Sequence, residues 1–274
     1  MTILWDVSGI SSARRCLLKT LLKLMDEEGY IINKQEFLPL LKVEGSAIRE
    51  KALVCGDPAR AQAIAAKLDS AEEVSWNREY RAFNGVKDGV ELTVASHGVG
   101  AAGAAICFEE LIKGGAREII RVGTAGSLQQ DITDGEIVIA AGAVRKDGLT
   151  EQLVPPEYPA LADAEIIKSL EGAGERLGYE TRTGVVLTIA AFYPEILPLT
   201  NNLYSRAGVI AVEMEASALF VIAALHGIKA GAVLAIDGLA IDFDADSYNP
   251  HREKVALAVD REIDLAITAL VNHS

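Results

Sequence analysis

Residues 211–217 read Ala-Val-Glu-Met-Glu-Ala-Ser and run directly into the apolar stretch ALFVIAALHG. Two carboxylates, Glu213 and Glu215, therefore stand at the mouth of a segment built for burial. An ionised carboxylate in apolar surroundings is costly unless it is paired or bound to a ligand. Arg121 poses the same problem, because it lies inside the run Glu-Ile-Ile-Arg-Val-Gly at 118–123. A planar, permanently charged, bidentate donor aimed at an oxyanion fits that position, and so does a buried structural ion pair. From the residues alone both roles stay open for Arg121. The two glutamates likewise stay open between ligand contacts and a water-facing edge of the core.

Three turns carry further chemistry. Gly56-Asp57-Pro58-Ala59-Arg60 follows an apolar run, with Pro58 suited to the first turn of a helix. Ser96-His97-Gly98-Val99-Gly100 precedes another helical segment, and Arg121-Val122-Gly123-Thr124-Ala125-Gly126 leaves a third apolar run. Glycine lets backbone approach a ligand closely, and exposed N–H groups at helix starts favour anions. Taken together the turns indicate a phosphate pocket.

Such turns need elements to aim them. From Ala52 onward short apolar runs alternate with helical periods. ALVCG, VELTVASHG, EIIRVGTAG, GEIVIAAGAV, YETRTGVVLTI and AGAVLAIDG predict strands. DPARAQAIAAKL, AAGAAICFEELIKGG, AEIIKSLEGAGERLG, EASALFVIAALHG and a closing segment from His251 to Leu270 predict helices. The alternation predicts an α/β fold, with helices flanking a central mixed, largely parallel sheet and ligands at the carboxyl ends of its strands. One domain is expected over residues 35–274, preceded by a helical extension over 1–34.

Composition narrows the function classes. Of 274 residues half are apolar, and the net charge is −13, with a pI near 4.8 and a mean hydropathy of +0.22. That balance argues against a nucleic-acid partner or an anionic membrane surface. Cys16, Cys55 and Cys107 are odd in number and widely spaced, which suits a reducing cytoplasm better than a disulfide framework or a metal site. CLLKTLLKLMDEEG near the start reads as an amphipathic helix, neither a secretory leader nor a membrane span.

GDPAR, NREY, the stretch from SHGVGAAGAAICFEELI to RVGTAGSLQ, and VEMEAS resemble the nucleoside phosphorylase family in order and spacing over roughly residues 50–270. EYPALAD, AFYP and HGIKAGAV resemble its uridine phosphorylase branch. The resemblance implies a nucleoside phosphorylase-like fold and reversible phosphorolysis. Phosphate attacks C1′ of a nucleoside, giving the free base and a (deoxy)ribose 1-phosphate. It implies phosphate binding by Gly56, Arg60, Arg121 and Thr124, with Arg78 supplied by a neighbouring subunit. It implies nucleoside contacts from Thr124, Gly126, Phe192, Glu213, Met214 and Glu215. Arg121, Glu215 and Asp237 would be the catalytic set. Glu79 stands where a monovalent cation can be held between subunits. Otherwise neither a metal nor a cofactor is implied, inorganic phosphate being the co-substrate. The resemblance also implies a cytoplasmic homo-oligomer with a dimer as the catalytic unit, assembled as a hexamer of three dimers.

Three departures bear on specificity. Ile196 and Pro198 stand where the uridine branch places a glutamine and an arginine for the uracil edge. Gly238 aligns with the purine branch's acidic residue, with Asp237 one place earlier, so Asp237 reaches the base only if the backbone bulges there. Leu38 or Leu40 replaces a histidine that would contact the sugar's 5′-hydroxyl across the dimer, which would suit a 5′-deoxy or 5′-thio sugar. The cluster Asp242, Asp244, Asp246 reads as a solvated loop. The alternatives are a purine or 5′-methylthioadenosine-type phosphorylase or nucleosidase, or a non-catalytic nucleoside-binding relative. Retention of Arg60, Arg78 and Arg121 together favours phosphorolysis over hydrolysis.

Overall fold

The computed structural model describes residues 36–193, 196–242 and 252–273, which all fall within one unit, Lys34–Ser274. The helical extension expected over residues 1–34 lies outside the described residues, as do Asp244 and Asp246. In chain order, the short pair β1 (Phe37–Leu38) and β2 (Val43–Glu44) precedes β3 (Lys51–Cys55) and helix α1 (Pro58–Ala66). An antiparallel ribbon follows, β4 (Ser70–Asn77), β5 (Tyr80–Lys87) and β6 (Val90–Ser96), and then α2 (Ala101–Gly114). Next come β7 (Glu118–Ser127), β8 (Ile137–Lys146), β9 (Ala160–Leu161), α3 (Ala164–Leu177) and β10 (Thr181–Ile189). The chain closes with α4 (Asn201–Arg206), β11 (Ala211–Glu213), α5 (Ala216–Leu225), β12 (Lys229–Leu239) and α6 (Glu253–Asn272).

The helix starts follow local chemistry. The Asp57 side chain caps α1 by accepting from Ala59 N at 2.8 Å, with Pro58 in the first turn. Asp163 caps α3 by accepting from Glu165 N and Ile166 N at 2.9 and 3.2 Å. Helix α2 stops at Gly115, whose φ of 130° is open to glycine and unfavourable for other residues.

The strands β3 to β12 form one ten-stranded sheet in the order β11-β10-β8-β12-β7-β3-β6-β5-β4, with β9 alongside β8. The pairs β3–β6, β3–β7, β7–β12, β8–β10 and β10–β11 are parallel. The pairs β4–β5, β5–β6, β8–β9, β8–β12 and β7–β11 are antiparallel. The sheet is therefore mixed, with more antiparallel pairing than the strand–helix alternation foretold. The β7–β11 pair, Ala211 with Ser127 and Val212 with Gly126, returns the strand at one end of this order to the middle of the sheet. Strands β7, β12, β8, β10 and β11 thereby close on themselves. Apolar side chains of α2 and α5, among them Phe108, Leu111, Leu219 and Phe220, fill one face. Those of α1, α3 and α6, including Ile64, Ile166, Leu170 and Ile263, fill the other. Coverage on both sides explains the near-continuous apolar runs of β3, β7 and β12. Among the described residues no helix is long and apolar enough to cross a membrane.

Packing of α3 on β12 is close enough to exclude a methyl group. A Cβ at Gly231 would sit 2.4 Å from Ile166 Cγ2 and 3.4 Å from Ile166 Cβ, and a β-branched neighbour has little rotamer freedom with which to yield. Gly231→Ala is therefore expected to destabilise the fold by about 1–3 kcal/mol, the usual range for overpacking, as read from the urea unfolding midpoint. A midpoint equal to that of the parent would show that α3 moves away freely.

Candidate active site

A cleft of about 780 Å³ opens where the turn after β3, the end of β7, the corner between β11 and α5, and the end of β12 converge. Its chemistry is organised around Arg121, which the β7 backbone carries into the wall with only 4% of its surface exposed. Arg121 Nε donates to Glu213 Oε2 at 3.3 Å, and Nη2 lies 3.1 Å from the same oxygen. Nη2 donates to Glu215 Oε2. Gly123 makes room for this side chain, since a Cβ there would lie 1.9 Å from Arg121 Nη1.

Glu213 is held on all sides. Thr188 Oγ1, its partner in the β10–β11 register, donates to Oε1 at 2.6 Å. Glu215 N and Ala216 N each donate to Oε2 at 2.8 Å, so Glu213 caps the start of α5. Thr188 Oγ1 in turn accepts from Ser217 N at 3.0 Å, and Ser217 Oγ donates to Asp147 Oδ2 at 2.6 Å. These bonds tie three strand ends to one helix start. Glu215 is held more lightly, by Gly100 N at 2.5 Å on Oε1 and by Arg121 on Oε2. Both carboxylates line the cleft, and each residue is 4% exposed. Burial raises the Glu215 pKa, Arg121 opposes the rise, and the charge of Glu213 adds to it. Burial would lower the Arg121 pKa, but Glu215 and then Glu213 reverse that, and the guanidinium stays charged.

One end of the cleft suits an anion. Gly56 and the N-terminal turn of α1 line it beside Arg60, Arg121 and Thr124, so backbone N–H groups, a helix N-terminus and two guanidinium groups face one volume. Arg60 Nη1 lies 3.5 Å from Glu262 Oε1. Arg78 takes a φ of 57° at the tip of the β4–β5 hairpin, where its exposed side chain stands outside this cleft. Glu79 lines the cleft, and a Cβ at Gly98 would meet its Cγ at 2.8 Å. His97, beneath the same turn, is fully buried, with its Nδ1 2.8 Å from Gly98 O. Burial and then the charge of Arg121 push its pKa down to about 3, so the imidazole is neutral.

The other end is more apolar, with Phe192, Tyr193, Leu199, Val212, Met214 and Leu239 in its wall. Phe192 stands edge-on to Tyr193 with ring centroids 5.0 Å apart. Gly126 also lines the cleft. The β7–β12 register skips one residue between Ile236 and Gly238. Asp237 is the extra residue, and the bulge brings it into the cleft wall. Its backbone carbonyl accepts from Arg252 Nη2 at 2.8 Å. Ile196 is 96% exposed and, like Pro198, is absent from the wall. Leu38 is sealed in the core, out of reach of any sugar, whereas Leu40 stays partly exposed.

Two residues that the sequence did not flag belong to this picture. Asn201 lines the cleft, and its Nδ2 donates to Ala240 O at 2.7 Å. Its buried Oδ1 has no hydrogen-bond partner among the described residues. Glu262 lies behind Arg60 with no exposed surface. The only signal for Glu262 was an acid on the stripe Val255, Ala258, Leu265, Ala266, Ala269 that α6 buries, and nothing local set Asn201 apart.

Fold and cleft together define an α/β protein whose cleft sets two guanidinium groups and a helix start beside carboxylates and apolar walls. Over residues 50–271 the chain matches the phosphorylase superfamily, and it belongs to that family. Guanosine phosphorylase of Halorubrum lacusprofundi is 36% identical over 235 residues, covering 85% of this chain and 97% of that protein. Uridine phosphorylase of Haemophilus influenzae is 35% identical over 231 residues, covering 80% and 90% respectively. The crystal structure of purine nucleoside phosphorylase from Toxoplasma gondii in complex with immucillin-H superposes with a TM-score of 0.84 at 31% identity, covering 87% and 96%. Relatives under purine, guanosine and uridine names lie at similar identity, so they do not single out the uridine branch.

Gly123→Ala tests the central cluster. The new methyl would expel the guanidinium and leave two buried carboxylates without their cation. Breaking a buried pair costs about 3–5 kcal/mol, so a loss of that order is expected in chemical denaturation, together with a fall in kcat/KM. Wild-type stability would show that Arg121 is not confined by Gly123.

Proposed function

We propose that this chain is a nucleoside phosphorylase that prefers purine nucleosides. The observation that carries the base preference is the β12 bulge, which brings Asp237 into a cleft wall from which Ile196 and Pro198 are absent. Phosphate is held by Arg60, Arg121, the Gly56 N–H and the Thr124 hydroxyl, with the partner subunit's Arg78 reaching in. Glu215 accepts hydrogen bonds from the ribose 2′- and 3′-hydroxyls, for which a carboxylate has lone pairs left after Gly100 and Arg121 are served. Met214 packs on the sugar and Phe192 flanks the base.

In the forward reaction a phosphate oxygen bonds to C1′ as the C1′–N bond breaks, and the bonding pair leaves with the base. Positive charge develops at the ribosyl C1′ and is stabilised by the phosphate and by Glu215, which are oriented before the reaction starts. Asp237 protonates the departing purine ring. Holding nucleophile and nucleoside in line contributes much of the remaining acceleration. No base is needed to activate an anionic nucleophile. A uridine preference is the second reading, supported by the EYPALAD, AFYP and HGIKAGAV stretches. It has to do without side chains at 196 and 198 that pair with the uracil edge.

Base release from a panel of purine, pyrimidine and 5′-deoxy nucleosides, with and without phosphate, tests the reading. Strict phosphate dependence is expected, with kcat/KM for inosine or guanosine at least tenfold above that for uridine. Phosphate-independent release would indicate a nucleosidase, binding without turnover a non-catalytic relative, and a uridine advantage the second reading. Asp237→Asn is expected to lower kcat on purine nucleosides by about 10²–10³, the scale of a lost general acid. An unchanged kcat would remove Asp237 from the chemistry.

A further inference from the structure

Glu262 is an acid with no exposed surface, carried on α6 directly behind the anion end of the cleft. One oxygen is occupied, since Ala235 N of β12 donates to Oε2 at 2.8 Å. The other, Oε1, has no hydrogen-bond partner among the described residues and lies 3.5 Å from Arg60 Nη1. Arg60 lines the cleft on its other side, with 18% of its side chain exposed. One guanidinium thus stands between a buried carboxyl and the volume in which an anion would sit. The other groups that act on Glu262 are Arg121 from β7 and Asp237 from β12, and the Cys55 thiol of β3 also feels it. Burial pushes the Cys55 pKa up to about 12, so that thiol stays neutral.

We propose that Glu262 is a positioning residue for phosphate that acts through its protonation state. As a neutral acid it leaves the charge of Arg60 to the cleft; once ionised it competes with phosphate for that guanidinium. The proposal rests on the phosphorolysis reading. Burial outweighs the attraction of Arg60 and holds the Glu262 pKa at about 8, so the exchange falls within a range where enzymes are assayed. A carboxyl with a raised pKa is neutral below that value and charged above it. Phosphate binding is therefore favoured on the acidic side and weakened as pH rises. Reciprocity then requires phosphate to draw a proton onto Glu262. With the competent form scaling the apparent affinity, going from pH 7 to pH 9 about a pKa near 8 corresponds to a roughly tenfold rise in phosphate KM. Free phosphate gains negative charge over the same interval, which alone would lower KM.

The test is phosphate KM at saturating nucleoside from pH 7 to pH 9, for the parent and for Glu262→Gln. The parent is expected to show the tenfold rise with nucleoside KM nearly constant. The variant is expected to stay within about twofold across the range and to match the parent near pH 7. A flat parent profile, or an equal alkaline rise in Glu262→Gln, would overturn the proposal. Should the variant not fold, calorimetry of inorganic phosphate binding to the parent at pH 8.5, in buffers of different ionisation enthalpy, decides the matter. Uptake of about three-quarters of a proton supports it, and no uptake overturns it. Base release without any phosphate requirement would remove the phosphorolysis reading and this proposal together. A phosphate requirement with a flat pH profile would remove only this proposal.

Discussion

Arg121 and the pair Glu213 and Glu215 are each unacceptable in a protein interior alone, and each becomes tolerable only against the other. Desolvating a guanidinium or a carboxylate costs several kcal/mol per ion, and the attraction between them offsets this only in good geometry with the remaining lone pairs satisfied. That geometry needs β7 beside the β11–α5 corner, a glycine at 123 and a hydroxyl at 188. Much of the barrel end can be understood as scaffolding that meets these requirements. The same cluster presents a partly satisfied carboxylate and a fixed cation to the cleft, so the requirement of the fold and the requirement of the site coincide.

Glu213 and Glu215 divide the work although their types and exposure are alike. Glu213 has Thr188, two backbone amides and Arg121 upon it, which makes it the anchor of the corner. Glu215 has one amide and one shared guanidinium nitrogen, which leaves it acceptor capacity for a ligand. The contrast arises from the backbone. Glu213 ends a strand and faces the start of α5, while Glu215 occupies the cap position itself. A sequence argument sees only Glu-x-Glu and has no means of separating the two.

Other parts of the molecule were plain in the chain for definite reasons. The strands β3, β7 and β12 are covered on both faces and read as apolar runs, and α1 and α3 announce themselves through Asp57, Pro58 and Asp163. The ribbon β4–β5 was missed because β4, Ser-Ala-Glu-Glu-Val-Ser-Trp-Asn, lies at the sheet edge, mostly exposed, with no alternation to betray it. Strand β11 left no mark in the sequence, since three residues carry no period. The bulge at Asp237 depends on how β12 meets β7, a pairing between segments far apart in sequence. Glu262 and Asn201 gain their meaning from neighbours on other elements, so single-sequence reasoning had no purchase on them.

The return of β11 to β7 has a consequence for how the protein comes into being. Gly126 and Val212 are joined across a long stretch of chain, and contacts of that kind carry a loop-closure entropy that local structure does not meet. Arg121 is synthesised well before its counterions, and until the β11 segment emerges and docks it has no buried partner. A nascent or truncated chain ending before residue 211 would hold much of the sheet and the loops around Gly56 and Gly98, yet neither Glu213 nor Glu215. The cleft is thus a product of the final closure of the barrel, and catalytic competence becomes a report on complete folding.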